Sequence, residues 1–169
     1  RTMDVFSHAL WGGLALGRQG RRDYLAAMAF SLLPDLLGEG VMFTLALLGL
    51  DGMPSLAQGH PNITQFPPWA RTFYNFGHSL IVFAVLFALV WWRRGRPALP
   101  LAGWGLHVLV DIPCHSVALF PTPFLWPLSD FKVDGLPWGN AWILVPNFLL
   151  LTGGYLLWLR SRRTGAARD

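Results

Sequence analysis

The sequence predicts an all-α fold, an integral membrane helical bundle of four to five helices with short or broken spans. Hydrophobic residues make up 53% of the 169 residues, and charged residues make up 13%, about half of the share in soluble domains. The apolar residues gather in long runs, and basic residues stand in short clusters at the ends of these runs. Such clusters are typical of membrane topology signals, so we expect a lipid bilayer as a partner and no nucleic acid.

The elements follow from the apolar runs in chain order. Helical segments are predicted over residues 4–17, 23–50, 77–92, 100–119 and 140–159. Pro34 is expected to break the second segment. The first and third segments are shorter than the roughly 20 residues of a spanning helix. Only the last segment, AWILVPNFLLLTGGYLLWL, has the composition of an ordinary span.

Two long connections, 51–76 and 120–139, are rich in Pro, Gly and Trp. We expect interfacial loops here, with three tryptophans at the level of the lipid headgroups: Trp69, Trp126 and Trp138. Residues 1–159 are expected to form one membrane-embedded domain, and the basic tail 160–169 is expected to be disordered and cytoplasmic.

Basic clusters lie at alternate ends of successive segments: Arg18/Arg21/Arg22, Arg93/Arg94/Arg96 and Arg160/Arg162/Arg163. The positive-inside rule assigns all of them to the cytoplasmic side. Polar residues in four segments lie 10 to 15 residues from the nearest cluster, about 15–23 Å along a helix. These residues, which we therefore expect at one depth and open to the outer side, are His8, Asp35, His78, His107 and Asp111.

The stretch HVLVDIPCH places His107, Asp111 and His115 four residues apart, on one face of a helix. An ionised carboxylate inside a membrane is costly unless it is paired, and a divalent metal ion satisfies carboxylate and imidazoles together. The stretch therefore predicts metal ligation by all three residues. The alternative is that these side chains only form hydrogen bonds between helices.

Three other apolar segments each carry one candidate ligand: His8 in DVFSHALWGG, Asp35 in SLLPDLL and His78 in YNFGHSL. For His8 the alternative is a packed side chain bonded to a carbonyl, and for His78 a helix cap. For Asp35 it is ordinary Pro-Asp turn chemistry.

Proton transfer needs a further group, and Asp35 and Asp130 are the candidates for it. Additional candidates to support the site are Asp4, Glu39 and Ser129. Cys114 is expected to be a small buried side chain, and His60, in a polar loop, is expected to be solvated.

Four histidines and two aspartates exceed the needs of one tetrahedral zinc ion, so we expect one or two ions, with Asp111 or Asp35 as the bridge. Zinc suits these donors best, and manganese and iron are the alternatives. Two ions can activate water and stabilise an in-line displacement at phosphorus, which predicts phosphoester hydrolysis. The sequence has no P-loop, nucleophile elbow or dinucleotide fingerprint.

Five motifs in order, MDVFSHALWGG, SLLPDLL, YNFGHSL, HVLVDIPCH and LWPLSDFKVDGLPWG, resemble a family of small bacterial inner-membrane, metal-dependent hydrolases. The family is related to the LexA-binding, membrane-associated hydrolases, and the similarity spans nearly the whole chain except the tail. The HxxxD pattern is similar to the helix-borne ligands of zinc-dependent phospholipase C and related nucleases. The resemblance implies a multi-pass protein of the bacterial inner membrane, with these metal-site residues: His8, Asp35, His78, His107 and Asp111.

The sequence thus predicts a membrane-embedded metal-dependent hydrolase, acting on a phosphoester in a lipid or lipid-linked substrate from the periplasmic side. A metal-ion or proton transporter is the alternative, because His and Asp near the bilayer midplane also serve transport. A haem protein with His axial ligands is a further alternative, but it gives Asp35 and Asp111 no role.

Overall fold

The computed structural model describes residues 5–50, 53–55 and 61–166, and all regular structure in these ranges is helical. The all-α class is therefore confirmed. Short 3₁₀ turns occur at Ile63–Gln65, Leu99–Leu101 and Ile112–Cys114. The helices of the described ranges are α1 (Val5–Leu16), α2 (Arg21–Leu47), α3 (Pro68–Gly77), α4 (Leu80–Arg94), α5 (Ala102–Asp111) and α6 (Ala141–Ala166).

Helix α2 continues through Pro34, so the predicted break is wrong. One π-helical turn, Leu36–Gly40, follows Asp35 directly, and α-helical geometry returns over Val41–Leu47. Proline supplies no N–H to the helical ladder, and the ladder changes its register in the wider turn that follows. The consequence is a helix that stays continuous but has a distorted turn beside Asp35.

The N-terminal helices pack closely because small residues line their contact. A Cβ added at Gly12 of α1 would stand 2.7 Å from the Ala27 carbonyl oxygen of α2, and one added at Gly103 of α5 would stand 2.6 Å from the same atom. Ser31 completes this junction, with its Oγ 2.6 Å from the Cβ that Gly103 lacks. Only glycine permits such an approach, so α1 and α5 both lie directly against α2.

Helices α3 and α4 form a bent pair, which corrects two boundaries predicted from the sequence. The loop expected over 51–76 contains α3, and the helix expected over 77–92 begins at Leu80. The two helices meet at an angle of 57°. Pro68 at the first turn starts α3, and the Ser79 side chain accepts a hydrogen bond from Val82 N and starts α4.

Two further helix boundaries and the position of one tryptophan differ from expectation. The predicted segment 100–119 ends early, because Pro113 closes it in a 3₁₀ turn and His115 has extended backbone. Residues 160–166, expected to be disordered, continue helix α6. Trp138, expected at headgroup level, is buried instead, with its ring edge-on to His8.

The described helices include two that are long and apolar enough to cross a membrane, Arg21–Leu47 and Ala141–Thr164. The bent pair of α3 and α4 would make a third span. Val5–Leu16 and Leu99–Cys114 are apolar but shorter. Apolar helices compatible with a membrane are thus present, and short helices and one bent pair lie among them. The described ranges contain six helices, not the four to five predicted, and the integral membrane bundle stays a prediction.

Candidate metal centre

Four buried side chains from three helices converge at one point. Asp35 comes from α2, His78 follows the last residue of α3, and His107 and Asp111 lie one turn apart on α5. None of these residues is more than 4% exposed. The prediction that they form a cluster able to hold a metal ion is confirmed.

The donor atoms have the spacing of a metal site. His107 Nε2 lies 3.0 Å from Asp111 Oδ2 and 3.4 Å from Asp35 Oδ1. His78 Nε2 lies 3.5 Å from Asp35 Oδ1, 3.7 Å from Asp111 Oδ2 and 3.4 Å from His107 Nε2. Donors bonded to a tetrahedral zinc ion at its usual distances stand about 3.3 Å apart. An ion of this size therefore fits between the four atoms.

Backbone carbonyls orient both imidazoles. His107 Nδ1 donates to the Ser31 carbonyl oxygen at 2.7 Å, and His78 Nδ1 donates to the Tyr74 carbonyl oxygen at 3.0 Å. A carbonyl only accepts, so in each neutral ring the proton is on Nδ1 and the lone pair is on Nε2. A hydrogen bond of this kind commonly fixes the ring of a metal-ligating histidine.

The two carboxylates of this cluster lack the hydrogen bonds that polar side chains buried between helices should form. Within the described part of the chain, no carboxylate oxygen of Asp35 or Asp111 has a hydrogen-bond partner. With both imidazoles neutral, their Nε2 lone pairs face each other between the carboxylates, and all of these atoms are acceptors. Buried acceptors without donors are costly, and a cation at their centre removes the cost. The geometry favours metal ligation over interhelical hydrogen bonding.

The close packing of the helices explains why these residues meet. Each small residue at the junction lies one helical turn from a residue at the centre: Gly12 from His8, Ser31 from Asp35, and Gly103 from His107. Where the backbones touch, the neighbouring turns carry the longer polar side chains. Gly38, on the π turn, lies against His78, since a Cβ there would stand 3.4 Å from His78 Cε1.

His8 and His115 border the same centre. His8 Nε2 lies 3.0 Å from Asp111 Oδ1, and the His8 ring packs on His107 with the centroids 4.0 Å apart. His115 Nδ1 lies 3.7 Å from Asp111 Oδ1 and 3.2 Å from the Asp111 carbonyl oxygen. The other five residues predicted as ligands are therefore all gathered around Asp111.

Asp130, predicted to transfer protons, is not in this cluster. It is exposed in the loop before α6 and forms no ion pair with a described residue. Ser129 is likewise exposed, whereas Cys114 is buried as expected. Asp4 and His60 lie outside the described residues.

Glu39 is the acidic residue that the sequence ranked too low. Its Oε1 is buried and has no hydrogen-bond partner among the described residues, and it is close enough for the charges of Asp35 and His78 to act on it. The π turn carries it, and single π turns are frequent at functional sites. The signal in the sequence is the four-residue spacing between Asp35 and Glu39, but this spacing does not predict a π turn.

No protein-family model, no curated protein and no solved structure matches the chain. The resemblance to inner-membrane metal-dependent hydrolases therefore stays a prediction.

Proposed function

We propose that the protein is a membrane-embedded, metal-dependent hydrolase of a phosphoester in a lipid or lipid-linked substrate. The observation that carries the proposal is the pair of imidazole lone pairs facing each other at 3.4 Å beside the carboxylates of Asp35 and Asp111. Imidazole and carboxylate together suit zinc first, and manganese or iron second. A divalent ion held there would polarise a phosphoryl oxygen and make a water molecule more acidic.

The chain itself would supply orientation, exclusion of water and a proton acceptor. Ser31 and Tyr74 hold the two imidazoles through their carbonyl oxygens. Asp35 faces the metal position, and Asp130 is exposed, so neither suits the role of proton acceptor. Glu39 suits it better, because its buried Oε1 has no partner among the described residues and the residue directly follows Gly38, which lies against His78.

The surface beside Glu39 supports a lipid substrate. Leu36 and Leu37, on the same π turn, are 56% and 47% exposed. A lipid whose phosphate group lies at the buried centre would thus have these apolar side chains next to its acyl chains. From the positions of the basic clusters we propose a bacterial inner-membrane location, with the C-terminus cytoplasmic and the site open to the periplasm.

Metal content and phosphoesterase activity, measured on the same detergent-purified samples, test the proposal. The full chain is compared with the variants His107→Ala, Asp111→Asn and Asp23→Asn. Asp23 provides the matched carboxylate control, because it lies in the first turn of α2, several turns before Asp35 on the same helix. The substrates are p-nitrophenyl phosphate and phosphatidic acid in mixed micelles.

We expect bound metal and hydrolysis in the wild type and in Asp23→Asn, and loss of both in the two cluster variants. Wild-type protein without metal after reconstitution with zinc, manganese or iron contradicts the proposal. Bound metal without any hydrolysis, together with metal flux into vesicles that contain the protein, would favour the transporter instead.

A further inference from the structure

The two carboxylate oxygens of Asp111 face different sets of donors. Oδ2 lies towards His107 and His78, at 3.0 and 3.7 Å, on the side of Asp35. Oδ1 lies towards His8 and His115, at 3.0 and 3.7 Å. A carboxylate that presents one oxygen to His107 and His78 and the other oxygen to His8 has the form of a bridge between two metal ions.

His8 lacks the partners that a structural histidine should have. It is 1% exposed, and neither of its ring nitrogens has a hydrogen-bond partner among the described residues. Its Nε2 is 3.0 Å from Asp111 Oδ1, yet the two atoms are not aligned as donor and acceptor. Their separation is instead the one expected of two ligands of one metal ion.

From this arrangement we propose that His8 and Asp111 hold a second divalent metal ion, bridged by Asp111 to the ion of the first centre. The proposal rests on the metal centre of the proposed function. His115 lies beside this second position, with its Nδ1 engaged by the Asp111 carbonyl oxygen. Two protein ligands leave coordination positions open for water or substrate, as in catalytic rather than structural sites.

Charge determines what else binds there. The carboxylates of Asp35 and Asp111 balance one divalent ion among neutral imidazoles. A second ion leaves the buried centre with excess positive charge, which is costly unless an anion joins it. A phosphate group is such an anion and can bridge two ions, so the second ion and phosphate should each strengthen the binding of the other.

Equilibrium dialysis of the purified full chain against micromolar zinc, with and without inorganic phosphate, tests the second site. Zinc per chain is then counted by elemental analysis. The variants are His8→Ala, His8→Gln and, as the matched control on the same helix, Phe6→Ala, since Phe6 is 80% exposed. Circular dichroism and gel filtration show which variants keep the fold, and the two-step zinc titration of the wild type needs no variant.

We expect two zinc ions per wild-type chain, the second binding at least about tenfold more weakly than the first and more tightly when phosphate is present. Both His8 variants should bind one zinc ion, and Phe6→Ala should bind two. One zinc ion in the wild type under all conditions overturns the second site and leaves the proposed function standing. No zinc in the wild type overturns both, and a folded His8 variant that binds two or none overturns the assignment of His8.

Discussion

At the scale of single residues, the centre depends on hydrogen bonds that fix where lone pairs point. The carbonyl oxygens of Ser31 and Tyr74 accept hydrogen bonds from Nδ1 of His107 and His78, so both Nε2 atoms face the carboxylates. Burial makes this choice strict, because no water competes for these atoms. The neighbouring Glu39 carboxyl oxygen Oε1 is buried without a hydrogen-bond partner among the described residues, as are the carboxylate oxygens of Asp35 and Asp111.

Replacing Glu39 with Gln separates proton transfer from metal binding. The amide has the same shape but cannot accept a proton at the reaction, and proton transfer contributes about 10²-fold to 10⁴-fold to a rate. We expect kcat for p-nitrophenyl phosphate to fall at least about 100-fold, while metal per chain stays as in the wild type. Steady-state kinetics with elemental analysis of each sample measure this effect. Unchanged kcat would remove Glu39 from the reaction.

At the scale of elements, the break between α3 and α4 holds His78 in place. The residue lies directly before Ser79, whose hydroxyl accepts from Val82 N and donates to the Trp126 carbonyl oxygen. One side chain thus starts α4 and joins it to the loop that leads to Trp138. The Ser79 hydroxyl thus fixes the chain directly after His78, and the Tyr74 carbonyl oxygen fixes the His78 ring.

We expect Ser79→Ala to lower the stability by about 1 kcal/mol through the lost helix cap, and to weaken zinc binding as well. Thr72→Ala is the control, because the Thr72 hydroxyl donates to the Pro68 carbonyl oxygen at an exposed position in α3. Thermal unfolding with and without zinc measures both effects. Equal zinc affinity in the two variants would show that the cap does not position His78.

The contact of α1 and α5 with α2 predicts a second effect at this scale. A Cβ at position 103 would stand 2.6 Å from both the Ala27 carbonyl oxygen and Ser31 Oγ, so α5 must shift. Overpacking of this kind costs about 1–3 kcal/mol, and the shift moves His107 away from Asp35. Gly103→Ala should therefore lower both the melting temperature and the amount of bound metal.

Gly153→Ala in α6 is the matched control, since a Cβ there meets nothing within 4 Å. It should leave bound metal unchanged, because the substitution is made far from any close contact. Wild-type metal content in Gly103→Ala would contradict the account of the junction.

At the scale of the whole molecule, the sequence predicts the helical class and the ligands better than the helix boundaries. The four-residue spacing of His107, Asp111 and His115 predicts that they lie together, and this prediction does not require the correct helix end. The π turn after Pro34 and the burial of Trp138 against His8 come from contacts between distant segments, which periodicity does not encode. The sequence does not predict helix α3, although Pro68 is an ordinary helix-start signal, because its ten residues follow a polar loop.

The centre joins α2, α3 and α5, so a bound ion should stabilise the entire molecule. An ion that binds the folded chain alone adds about 2.7 kcal/mol when its concentration is 100 times Kd, and this corresponds to roughly 5–10 °C in Tm for a chain of this size. Removing metal with a chelator should lower Tm by that amount, and adding zinc should restore it. Folding and metal binding are then one linked equilibrium.

Asp111→Asn is the decisive comparison for this linkage. The amide keeps the shape of the side chain but lacks the charge that the ion needs, so Tm of this variant should not respond to chelator or zinc. It should also lie close to the Tm of the chelated wild type, because both states keep the helices but lack the ion. A wild-type Tm that ignores the chelator, or an Asp111→Asn variant that responds to zinc as the wild type does, would mean that the cluster stabilises the fold without a metal ion.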